Sequence, residues 1–187
     1  TLWGWNPVTH DCVKRNTSEG IQEIHWSQGA SNWESWMYGR CLENYNQSFT
    51  WAKWVTPSRD LIKDFHNEGD TARFNQTVVY YSCTWSNYYP AANYPFMYKL
   101  RSGYNNEYVV RLADIILLEA EAYAFKGNLS KSAELVNIIR HRAKLPDLTA
   151  DKTATKDAMI EAVLHERRLE LAMEGERWFD LCRYGKV

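Results

Sequence analysis

The chain has 187 residues, 45% of them apolar, and a formal net charge of −1. It is long enough to bury a sizeable core, and its near-zero charge gives no electrostatic basis for binding nucleic acid or an anionic membrane surface. No run of about 18 apolar residues occurs, so no segment reads as a membrane-crossing helix.

The longest apolar candidate, Leu112 to Phe125, is interrupted by Asp114, Glu119 and Glu121. The N-terminal string TLWGWNPVTH has no initiator Met and no charged-then-apolar signal pattern. The C-terminus stops just after a helical segment. Both ends read as cut, so the chain is expected to be part of a longer polypeptide.

Composition shifts near Asn105. Eight of the nine Trp and nine of the twelve Tyr precede it, against only 18 of the 45 charged residues. The expectation is a single region over 1–187, with a loop-rich part over 1–105 and a helical part over 106–187.

In the first part, Ile21 to Trp26 alternates apolar and polar residues, as a half-buried strand does. Ser27 to Arg40 is rich in Gly, Ser and Asn and predicts a long structured loop. Pro57 opens a short helix with Leu61 and Phe65 on one face, stopped by Asn67-Glu68-Gly69-Asp70. Thr77 to Tyr81 is β-branched and aromatic, a strand pattern. Trp85 to Tyr98 contains two prolines and predicts another loop.

The second part predicts four helices. The first runs from about Glu107 to Lys126. Leu112, Ile115, Ile116, Ala122 and Tyr123 make its apolar stripe, and Ala113, Leu117, Ala120 and Ala124 widen it nearly all round, so it should be central and largely buried. Gly127 ends it. Asn128 or Ser130 caps the second helix, where Leu135, Ile139 and Ala143 share a face. Thr153 or Thr155 caps the third, with Ile160, Val163, Leu164 and Leu171 on one face and Gly175 closing it. The fourth starts near Arg177, with Trp178, Leu181 and Cys182 on one side. Short connections make the first two an antiparallel hairpin, a tetratricopeptide-like layout. The expected fold is thus mainly α, with tetratricopeptide-like helix pairs, long aromatic-rich loops and a few short strands.

The charged cluster Glu166-Arg167-Arg168-Leu169-Glu170 admits two readings. Glu166 and Glu170 share a helix face, as an acid–base pair would. The adjacent arginines, however, lower a carboxylate pKa, whereas a general acid needs it raised. A structural network of Glu166, Arg167, Arg168 and Glu170 is preferred. Glu174, Glu176, Arg177 and Asp180 would pin the third helix to the fourth, and Arg111 with Asp114 reads as an i,i+3 pair.

His10, His25, His66, His141 and His165 are scattered, without metal-ligand or triad spacing. Cys12, Cys41, Cys83 and Cys182 lack a C-x-x-C pair, so no zinc site is expected. One disulfide or buried free thiols both fit, with thiols preferred. No phosphate-loop, dinucleotide or G-x-S-x-G motif occurs. No catalytic residue and no cofactor is expected. The sequons at Asn16, Asn46, Asn75 and Asn128 would suit a secreted eukaryotic protein, but such triplets arise by chance in an Asn-rich chain.

The aromatic loops are the functional candidates. Trp33, Trp36 and Tyr38 lie together, Trp51 and Trp54 follow, and Trp85, Tyr88 and Tyr89 form a third group. An exposed ring flanked by amides suits a sugar: the pyranose C–H face packs on the π system and amides take the hydroxyls. The alternative is that the rings plug loops that lack regular hydrogen bonding.

The strings RLADIILLEAEAYAFKG, NIIRHRA and HERRLELAMEGERWFDLCRYGK, in that order, resemble the C-terminal part of the SusD/RagB family. PSRDLIKDFHNEGDTARF is similar to that family's proline-led helix and acidic–Gly–Asp turn, and EGIQEIHWS to the strand that opens the region. The resemblance covers roughly Glu19 to the end and is strongest from Arg111 to Tyr184. It implies a non-catalytic lipoprotein on the outer-membrane surface of a Bacteroidota-type bacterium. Such proteins bind glycan and pass oligosaccharide to a TonB-dependent, SusC-like transporter. The acylated N-terminal Cys, the early helices and the C-terminal tail of the family are absent from this sequence, so a lipid anchor is implied for the parent protein only. A helical-repeat scaffold for protein partners and a glycoside hydrolase fragment using Glu166 and Glu170 are the alternatives.

Overall fold

The computed structural model describes residues 13–25, 56–84, 86–99 and 106–187. The expected loop over Ser27 to Arg40 lies outside them. The chain divides into two compact units, Thr1–Ile62 with Phe74–Val109, and Lys63–Arg73 with Val110–Val187. Most of the described residues in regular elements are helical.

Strand β1 (Gly20–Ile24) forms where the alternating pattern predicts one. Helix α1 (Arg59–Glu68) starts as Pro57 predicts, and the Ser58 hydroxyl caps it by accepting from the Leu61 N–H at 3.1 Å. Leu61 and Phe65 are both buried. At its end Gly69, with φ of +68°, takes the left-handed conformation that lets Asp70 N–H reach the Phe65 carbonyl at 3.0 Å. Helix α2 (Thr71–Thr77) follows and was not expected. Its signal was present: Asp70 caps it, accepting from the Arg73 N–H at 3.0 Å.

Strand β2 (Val78–Tyr81) pairs antiparallel with β3 (Tyr94–Met97), Val78 opposite Met97 and Tyr81 opposite Tyr94. β3 lies inside the segment expected to be a loop. Pro95 is tolerated because, among the described residues, the sheet is a two-stranded ribbon and both its strands are edges. Cys83, Tyr94 and Phe96 make a small buried cluster beneath this ribbon.

Strand β4 (Glu107–Arg111) replaces the expected first turn and a half of helix; Tyr108, Val109 and Val110 favour extended backbone. It pairs with β1. Tyr108 donates its hydroxyl to the Lys14 carbonyl at 2.5 Å.

The second unit is built on α3 (Leu112–Phe125) and α4 (Leu129–Arg142), a hairpin joined at Lys126 to Asn128. Gly127 (φ +80°) closes α3, with Asn128 N–H on the Tyr123 carbonyl at 2.9 Å. Asn128 then caps α4 through the Lys131 N–H at 3.1 Å. The buried face of α3 is Ala113, Leu117, Ala120 and Ala124, not the larger stripe. Leu112, Ile115, Leu118 and Phe125 are exposed. The reason is the partner: alanines let α4 come close enough for the Ser132 hydroxyl to reach the Ala120 carbonyl at 2.7 Å.

A short helix α5 (Ala150–Thr153) leads into α6 (Lys156–Glu170), which Thr155 caps. Met159, Val163 and Leu164 of α6 join Leu117, Val136 and Ile139 in one core. α6 ends at Glu170 with Leu171 as its C-cap, and Met173 takes a left-handed turn, while Gly175 (φ +91°) caps the next helix instead of closing this one. That helix, α7 (Glu176–Arg183), turns its apolar residues outward: Trp178 is 62% and Phe179 65% exposed. Its one buried residue is Asp180. No helix among the described residues is long and apolar enough to cross a membrane.

Candidate functional site

Of the aromatic residues singled out, Trp33, Trp36, Tyr38, Trp51, Trp54 and Trp85 lie outside the described residues. Tyr88 is described, and it stands at an open cleft of about 930 Å³ in the first unit. Arg59, Thr84, Ser86, Asn87 and Tyr89 line the cleft with it.

The segment between β2 and β3 carries these residues. It is fixed at its base by Cys83 N–H on the Ala91 carbonyl at 2.7 Å. Tyr94 donates to the Ser86 hydroxyl at 3.1 Å, and Tyr89 donates to the Pro57 carbonyl at 2.7 Å. Burial, then the neighbouring Tyr88, pushes the Tyr89 phenol up to about 12, so it remains a donor at neutral pH. Tyr88 stands edge-on to Tyr89, ring centroids 4.9 Å apart. The Arg59 guanidinium lies over the Tyr88 ring at 4.3 Å and donates to the Tyr88 carbonyl. Tyr88 nevertheless stays 45% exposed. The result is an aromatic wall with an amide, hydroxyls and one cation beside it. Arg59, Ser86 and Asn87 had no sequence signal of their own as site residues; only the pairing of β2 with β3 shows what faces Tyr88.

The charged residues of the second unit form a connected network. Glu166 accepts from Arg73 Nη1 at 2.6 Å and from Arg140 Nη1 at 3.1 Å. Glu170 pairs with Arg111 at 2.7 Å and with Arg142. Arg111 and Asp114, expected to pair with one another, each find a partner elsewhere. Arg111 Nε meets Glu174 at 2.6 Å, and Asp114 meets Arg167 Nη1 at 2.6 Å. Burial alone would lower the Arg111 guanidinium pKa, but Glu174 and Glu170 drive it up instead. Arg167 also meets Asp180 at 2.9 Å, and Arg168 meets Asp64 at 2.7 Å. Arg177 is half-buried, and burial followed by the charge of Arg168 lowers its pKa. Arg183 and the Tyr184 hydroxyl converge on Glu121. Glu166 and Glu170 are both buried. Each faces guanidinium groups.

The sequence model of the SusD family matches residues 92–187. SusD-like protein P38 of Formosa agariphila is 40% identical over 88 residues, 44% of this chain and 18% of that protein. A SusD superfamily protein from Bacteroides vulgatus superposes with a TM-score of 0.71 at 26% identity, over 92% of this chain and 42% of the other. A laminarin-binding SusD-like protein superposes with a TM-score of 0.64 at 24% identity, over 92% of this chain and 43% of the other. The chain therefore spans less than half the length of these solved relatives. The chain belongs to the SusD family.

Proposed function

We propose that the protein binds glycan without transforming it. In this reading it is the surface-exposed binding component of a bacterial outer-membrane uptake system and hands oligosaccharide to a TonB-dependent, SusC-like transporter. A lipid anchor carried by the rest of the polypeptide holds it to the membrane. The observation that carries the reading is the exposed Tyr88 ring in an open cleft with Ser86 and Asn87 beside it. A pyranose C–H face packs on such a ring while hydroxyl and amide groups satisfy the sugar hydroxyls. The laminarin-binding relative of the same fold supports the ligand class. A non-catalytic role is supported by the burial of Glu166 and Glu170 against arginines, where both carboxylates are engaged inside the protein and not presented at the surface.

Calorimetry of the full chain against a panel of polysaccharides and oligosaccharides tests the reading. Binding is expected, and Tyr88→Ala should weaken it about tenfold, or ~1.4 kcal/mol. Failure to bind any glycan overturns it. Recovery of a barrel partner in pull-downs from outer membranes tests the delivery step.

A scaffold for a protein partner is the second reading. The exposed Trp178 and Phe179 of α7 favour it. It predicts that a partner is retained when Tyr88 is replaced and lost when both α7 rings are replaced by serine.

A further inference from the structure

We infer that the Tyr88 cleft selects acidic saccharides, those bearing a carboxylate or a sulfate ester, over neutral ones. The inference rests on the reading of this cleft as a saccharide site. Arg59 is the one charged side chain among the described residues that line it. Its guanidinium sits 4.3 Å from the centroid of Tyr88 and 5.3 Å from that of Tyr89. Among the described residues its hydrogen bond is the one to the Tyr88 carbonyl, and it forms no ion pair. Arg73, Arg111, Arg140 and Arg167, by contrast, each face carboxylates.

Arg59 is thus a cation held in place and not neutralised by any of the described residues. A guanidinium has five N–H donors in a planar fork, which matches two oxygens of a carboxylate or sulfate. One donor anchors the loop through the Tyr88 carbonyl, and among the described residues nothing else takes the rest of the fork, which an anion could use. A sugar ring stacked on Tyr88 with an acidic substituent toward Arg59 would make both contacts at once. A neutral sugar would make only the first. The bland role, a clamp on the loop, uses a single N–H and does not need the others.

The test is calorimetry on the full chain with three probes: a galacturonan oligosaccharide, the same oligosaccharide with its carboxyls reduced to alcohols, and a sulfated galactan oligosaccharide. An acidic probe is expected to bind about tenfold more tightly than the reduced one, a difference of ~1.4 kcal/mol. The preference should shrink as salt is raised from about 0.05 to about 0.5 M. Arg59→Gln should erase the preference, so that acidic and reduced probes bind that variant alike; Arg59→Lys should keep part of it, because the charge remains without the fork. Tight binding of the galacturonan alone assigns the carboxylate, and of the sulfated galactan alone the sulfate. Equal affinity for the galacturonan, its reduced form and the sulfated galactan, or a preference that survives Arg59→Gln, overturns the inference while the saccharide reading stands. If no probe binds, and Tyr88→Ala alters binding to no glycan of the wider panel, the saccharide reading falls and takes the inference with it.

Discussion

Arg167 Nε lies 2.9 Å from the Asp180 carboxylate, and both side chains are buried. This pair ties α7 to α6, because Asp180 is the one buried residue of α7. Its rings face water and contribute little to holding the helix. Asp180→Ala leaves Arg167 with Asp114 but strands part of a buried charge. A loss of about 3 kcal/mol is expected in urea unfolding. Hydrogen exchange should rise first in α7. An unchanged midpoint would mean that the rings, not the ion pair, hold the helix.

Glu68 gives the helical unit a defined acid limit. Burial would raise its pKa, but hydrogen bonds from Lys152 at 2.8 Å and Arg140 at 3.0 Å outweigh burial and bring it to about 2 from the usual 4.5. The folded pKa lies below the unfolded one. The stabilisation is therefore complete above about pH 4.5 and is lost as pH falls through about 2. Glu68→Gln should remove it, on the order of 1–2 kcal/mol once solvent screening is allowed for. Unfolding midpoints measured from pH 7 to pH 2 should converge for the two proteins at the acid end.

Lys144 occupies the left-handed position after α4, with φ of +63°. Its N–H bonds the His141 carbonyl and the Leu145 N–H bonds that of Arg140, both at 2.9 Å. A side chain in this conformation is disfavoured, and glycine is not. Lys144→Gly should stabilise the protein by about 1 kcal/mol, seen as a higher melting temperature. Lys144→Val should do the reverse.

Ala120 faces α4 without exposed surface, and its carbonyl takes the Ser132 hydroxyl. Ala120→Leu forces the hairpin apart and should cost about 1–3 kcal/mol. The same exchange at Ala122, which is exposed, should be near neutral. Thermal unfolding of the two variants compares them directly.

These cases show where sequence and structure part. Caps were legible because they are local: Asn128 and Thr155 bond backbone groups three residues away. The facing of α3 was not. Its apolar residues run round the whole helix, so periodicity alone cannot choose a side. The alanine face was selected by the close approach of α4, a tertiary fact. α7 failed differently: Trp178, Leu181 and Cys182 do share a side, but nothing in a single helix says whether that side is covered. At the cleft, Tyr88 was legible as an aromatic in a polar loop. Arg59, 29 residues earlier, was readable only as a helix start.

The segment Lys63–Arg73 belongs with the unit that resumes at Val110. Glu68 meets Arg140 and Lys152, and Arg73 meets Glu166. The helical unit is therefore not a continuous stretch of chain, and the family match at residues 92–187 does not contain it. A fragment cut to that match would leave Glu166 with one of its two guanidinium partners. It would also remove Phe65 from the interior. Folding of the intact unit must close the intervening loop before these pairs form, so it should be slower than that of a bundle with only local contacts.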